Sequence, residues 1–77
     1  LASDFYLNAA LEDGNTSVIT AALGDIARAK GMTQLSKETG ITRDGLYKAL
    51  SPTGNPSFDT VQKVVRAFGL KLDVAAI

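Results

Sequence analysis

The sequence predicts an all-α fold of five short helices, two of them joined by a glycine corner as a helix-turn-helix. Three observations predict it. Apolar residues recur at i, i+3, i+4 and i+7 in two windows, Ile19, Ala22, Leu23, Ile26 and Val61, Val64, Val65, Phe68, the spacing that puts one stripe on one face of a helix. Gly31 and Gly69 stand just beyond these windows, where a residue that accepts a left-handed backbone ends a helix cheaply. Between them, residues 33–50 read as two helices split by Gly40. A chain of 77 residues suits one domain, 1–77.

Taken in order, Ser3 is expected to cap a first helix over about residues 4–12. Asp4 lies in its first turn, Leu7, Ala10 and Leu11 point inward, and Gly14 ends it. Asn15, Thr16 and Ser17 are three candidate caps for the second helix, which closes on Arg28 and Lys30 in its last turn, then Gly31. Thr33 is the expected cap of a short third helix ending at Gly40, and Ile41 plugs the corner. Thr42 caps a fourth helix over residues 43–50. Ser51-Pro52-Thr53-Gly54-Asn55-Pro56 is too rich in proline and glycine to be helical. Ser57 or Phe58 opens the fifth helix, and Gly69 stops it. Beyond it, Leu70-Lys71-Leu72-Asp73-Val74 alternates apolar and polar, the period of a half-buried strand over about residues 70–76. A lone strand leaves its backbone groups unpaired, so the expectation is pairing with the same strand of a second copy in a homodimer; a frayed tail, or a strand docked on its own helices, is the alternative.

Composition excludes several function classes. The chain has no cysteine and no histidine, so disulfides, thiolate zinc sites and the common nucleophile–base pairs are excluded. No metal, cofactor or catalytic residue is expected, and the chain reads as a non-enzyme. The longest uninterrupted apolar run at the C-terminal end is Val74-Ala75-Ala76-Ile77, far below the roughly 20 residues of a membrane span. No leader pattern opens the chain, and the lack of cysteine suits a cytoplasmic protein.

Net charge is zero, but its distribution is uneven. Residues 1–27 carry Asp4, Glu12, Asp13 and Asp25 with no lysine or arginine, a charge of −4. Residues 28–51 set Arg28, Lys30, Lys37, Arg43 and Lys48 against Glu38 and Asp44, a charge of +3. Residues 52–77 set Lys63, Arg66 and Lys71 against Asp59 and Asp73, a charge of +1. The positive excess falls on the helix-turn-helix, as binding to DNA phosphates requires. The acidic third would face away from DNA or meet a basic protein.

In a helix-turn-helix the second helix enters the major groove. Its outward residues here are Thr42, Arg43, Asp44, Tyr47 and Lys48. Arg43 suits a bidentate contact to guanine, Thr42 and Lys48 suit phosphates, and Tyr47 suits a phosphate or a thymine methyl. Gln34, at the start of the first helix of the motif, is a secondary candidate for the DNA backbone. Ser36 is small where the two helices approach. Gly45 is a glycine inside a helix, costing about 1 kcal/mol against alanine; it is expected to let the helix lie close to DNA or to a neighbouring helix. Each charge also has a plainer reading as a solvated side chain.

The runs Gly24–Gln34, Glu38–Arg43, Leu46–Pro52, Gly54-Asn55-Pro56 and Phe58–Val61 together resemble the addiction-module antidote proteins. These are HigA-like antitoxins whose DNA-binding domain is similar to the Xre/Cro (lambda-repressor-like) helix-turn-helix repressors. The resemblance covers about residues 5–72, and the Ser-Pro…Gly-Asn-Pro loop is its most specific part. It implies a five-helix dimer that binds a palindromic double-stranded operator, represses its own operon and neutralises a small basic RelE/ParE-like toxin. The glutamine that usually opens the first helix of the broader Xre motif is Met32 here, with Gln34 two residues later, and Ser36 replaces the usual alanine. The competing expectation is a protein-interaction module that keeps this fold without touching DNA.

Overall fold

The computed structural model describes residues 2–74 and residue 76. Within them the chain forms α1 (Ala2–Asp13), α2 (Thr16–Lys30), α3 (Met32–Thr39), α4 (Arg43–Ala49) and α5 (Phe58–Ala67). Three helices begin on a side-chain cap that satisfies an otherwise orphaned first-turn amide. The Asn15 side chain accepts from the Ser17 N–H at 2.9 Å, Thr42 Oγ1 from the Gly45 N–H at 3.1 Å, and Ser57 Oγ from the Thr60 N–H at 3.2 Å.

Two expected caps are not used. Ser3 lies inside α1, which already begins at Ala2. Thr33 lies inside α3, because Gly31 at φ 107° closes α2 and opens α3 as the single residue between them. That conformation is one a side-chain-bearing residue rarely adopts, and it leaves no room for a separate cap. Leu11, expected inward, is 41% exposed. Among the described residues of α1 only Leu7 and Ala10 are buried, so its buried stripe is narrower than its apolar composition suggests.

The core joins Leu7 and Ala10 of α1 to Leu23, Ile26 and Ala27 of α2, Leu35 of α3, Leu46 and Leu50 at α4, and Val64 and Val65 of α5. The expected faces of α2 and α5 are the inward ones, with Ile19, Val61 and Phe68 packed partly buried at the edge. Two glycines make this packing tight. A methyl group at Gly24 would stand 2.5 Å from the Leu50 carbonyl oxygen, so α2 meets the end of α4 directly. At Gly54 it would collide with the Lys48 and Ala49 carbonyl oxygens, so the proline-rich loop folds back beneath α4.

The expected strand is not there. Residues 70–74 are irregular, and Ala75 lies outside the described residues. The Leu70 N–H instead bonds back to the Val65 carbonyl at 3.2 Å, completing the end of α5 after Gly69. Leu70 and Leu72 pack against the core while Lys71 and Asp73 are exposed. The two-residue alternation is thus that of a segment docked on its own helices. Among the described residues, the bond from the Leu70 N–H is the last backbone–backbone hydrogen bond of the chain.

Candidate nucleic-acid interface

The corner between α3 and α4 is built by side chains of α3. Gly40 at φ 74° takes the left-handed turn that a Cβ would strain. Ser36 Oγ then donates to the Ile41 carbonyl at 2.5 Å, and Thr39 Oγ1 accepts from the Ile41 N–H at 3.2 Å. Both polar groups of the Ile41 backbone are held by α3, while the Ile41 side chain packs against the core. Thr42 then caps α4 and Leu46 anchors it, fully buried. Ser36 thus does more than keep the helices close, and Thr39, unremarkable in the sequence, shares the work. The signal that finds both is a hydroxyl residue within four positions of a corner glycine.

This corner sets the outward face of α4. Thr42, Arg43, Asp44 and Tyr47 line one shallow, open concavity of about 570 Å³, together with Ser36. Four of the six residues expected to contact DNA are therefore gathered around a single recess. Lys48 is exposed on the same helix but does not line it. Gln34 is also outside it: its Nε2 donates to Glu38 Oε2 at 3.0 Å, within α3. Gly45 is not pressed against a neighbouring helix; a methyl group there would meet only Thr42 Oγ1 at 3.0 Å and Ile41 Cγ2 at 3.2 Å. Its role is to leave space for the cap and the corner.

Ion pairing is uneven over the surface. Among the described residues, Arg28 pairs with Asp25 at 3.3 Å, Lys30 with Glu38 at 3.5 Å and Lys63 with Asp59 at 3.0 Å. Lys37, Arg43 and Lys48, the three cations of α3 and α4, make no ion pair among those residues. Lys37 was counted in the charge balance but not as a site residue. Glu38 has its carboxyl held below the ordinary value of 4.5, first by the Gln34 amide and also by the Lys30 ammonium. It therefore stays ionised and ties the C-terminus of α2 to α3. At the other end of the molecule, the Tyr6 hydroxyl donates to Asp25 Oδ2 at 2.8 Å and joins α1 to α2.

Over residues 2–76 the chain matches the family described as "Probable addiction module antidote protein". The chain belongs to this family. The match spans all five helices, not the α3–α4 unit alone. An uncharacterized protein of Haemophilus influenzae (strain Rd) is 55% identical over 69 residues, which cover 90% of this chain and 71% of that relative. No solved structure matches. Membership bears out the resemblance to addiction-module antidotes and implies a toxin as partner. Among the described residues, no helix is long and apolar enough to cross a membrane, and no group of acidic side chains is placed to hold a metal ion.

Proposed function

We propose that this antidote is a DNA-binding antitoxin of the HigA-like kind, with α3 and α4 as an Xre/Cro-type helix-turn-helix. In this reading α4 enters the major groove of a palindromic operator, Arg43 reads a guanine edge, and Thr42, Lys37 and Lys48 hold phosphates. Asp44 and Tyr47 shape the fit at the same groove. A homodimer sets two copies of α4 about 34 Å apart, one turn of DNA. Bound there, the protein represses its own operon and, off DNA or on it, neutralises a RelE/ParE-like toxin.

The observation that carries this reading is the unpaired state of Lys37, Arg43 and Lys48 around a recess lined by Thr42, Arg43, Asp44 and Tyr47. Arg28 and Lys30 on α2 and Lys63 on α5 are held by carboxylates, whereas these three, like Arg66 and Lys71, make no ion pair among the described residues and are available to phosphates. Each phosphate neutralised releases condensed counterions. With Lys37 and Lys48 contacting phosphates in both copies of a dimer, the slope of log K against log salt for the native operator is expected to be about −3 to −4. A gel-shift or fluorescence-anisotropy titration at several salt concentrations measures it. No binding at low salt sinks the DNA reading and leaves a protein-interaction module.

A further inference from the structure

The α3–α4 surface accounts for DNA and leaves the toxin without a place to bind. α1 offers one. On a helix, successive residues advance by about 100°, so Phe5, Ala9 and Glu12, at i, i+4 and i+7, share a line. That line is opposite to Leu7 and Ala10, the two residues α1 buries. Phe5 is 78% exposed at the outermost point of the helix, an aromatic ring that the fold does not use. Ala9, Glu12 and Asp13 are exposed around it, and no lysine or arginine occurs anywhere in residues 1–27.

Phe58 at 73% and Val74 at 95% are the other strongly exposed large apolar residues. They sit among charges of both signs, Asp59 with Lys63 and Lys71 with Asp73, which favour no particular partner. The charged side chains of α1 itself, Asp4, Glu12 and Asp13, are all of one sign. They repel nucleic acid and attract a cation-rich protein, while the Phe5 ring is the kind of anchor that carries interface energy when it fills a pocket.

We propose that the outer face of α1 is the toxin-docking surface, with Phe5 inserted into an apolar recess on a basic face of the toxin and Glu12 and Asp13 paired to the rim. This rests on the antidote reading and adds to it where the partner sits and what chemistry it presents. DNA and toxin then occupy different elements, so both can be bound at once.

The test uses the full chain and, as probe, the protein product of the reading frame adjoining its gene. Phe5→Ala is expected to weaken toxin binding by at least tenfold in calorimetry or surface plasmon resonance, with helicity unchanged. Glu12→Lys combined with Asp13→Lys is expected to slow association and flatten its salt dependence. Both variants should keep native operator affinity, and Arg43→Ala should keep native toxin affinity. If the native chain binds the toxin and Phe5→Ala together with the charge-reversed variant binds equally well, the proposed face is wrong and the antidote reading stands. If the native chain does not bind it, the antidote reading fails and this proposal with it. A change in assembly state on Phe5→Ala, seen by sedimentation, assigns the face to a second copy and overturns the proposal.

Discussion

The two ends of this molecule use their side chains in opposite ways. Among the described residues, α1 buries only Leu7 and Ala10; it exposes Phe5 and carries carboxylates without a single cation nearby in sequence. The α3–α4 unit buries Leu35 and Leu46 completely, locks its corner with two hydroxyls and presents three cations that make no ion pair among the described residues. Between them the α2–α3 seam is internally neutral, with Lys30 and Glu38 paired. A net charge of zero therefore conceals an uneven surface, basic at α3–α4 and acidic at α1. Such an arrangement suits a protein that must hold a polyanion and a second, differently charged partner without competition.

The contrast in seating can be broken most sharply by truncating its anchor. Leu46→Ala should cost about 2–5 kcal/mol, through lost transfer energy and the cavity left behind. In a domain of this size that approaches the whole stability, so a urea melt should show a largely unfolded population at modest denaturant. Truncating Leu11 on α1, already 41% exposed, should cost far less. A loss for Leu11→Ala as large as that for Leu46→Ala would show that α1 is as firmly built in as α4.

The contrast in charge is sharpened on DNA. Arg43→Ala should cost about 1–3 kcal/mol of operator affinity and relax specificity at one base pair. Lys48→Ala should weaken all sequences alike and reduce the salt slope by about 1. Equal losses on native and scrambled DNA for Arg43→Ala would remove its base-reading role. A smaller effect tests the rigidity of the corner. Thr42→Ala should lower stability by about 1 kcal/mol through loss of the α4 cap, and Thr42→Ser should restore most of it.

The smallest effects are those of pH, since the groups concerned are exposed. Glu38 has its folded-state pKa lowered by Gln34 and Lys30. Its contribution is present above the ordinary value of 4.5 and is lost as pH falls through the folded value. Tyr6 has its pKa raised above 10.0 by its bond to Asp25. Its contribution is present below that value and is lost as pH rises through the folded one. Denaturation midpoints followed against pH should show Glu38→Gln flattening the acid limb and Tyr6→Phe flattening the alkaline limb. Acid thus loosens the α2–α3 seam at the basic end, and alkali loosens α1.

Much of this was readable along the chain, because it depends on neighbours in sequence. The stripes of α2 and α5, the caps Asn15, Thr42 and Ser57, and the corner glycine Gly40 are local, and local backbone sterics and short-range hydrogen bonds decide them. The gathering of Thr42, Arg43, Asp44 and Tyr47 was readable too, since one helical turn brings them together. The misreadings have a common cause. Thr33 has the chemistry of a cap, but Gly31 turned the chain first. Leu70-Lys71-Leu72 has the period of a strand, but a period of two serves equally well for a segment that docks alternate residues on a helical core. Leu11 has the hydrophobicity of a core residue, but α1 lies against α2 through a narrower line.

What the sequence determined by itself was therefore the five helices, the glycine corner between the third and the fourth, and the uneven charge. Only the tertiary structure decided that Lys30 pairs with Glu38 across the α2–α3 seam, that Gly24 lets α2 meet the end of α4, and that Phe5 faces outward. Those facts depend on contacts between residues distant in sequence, which periodicity along a single helix does not encode.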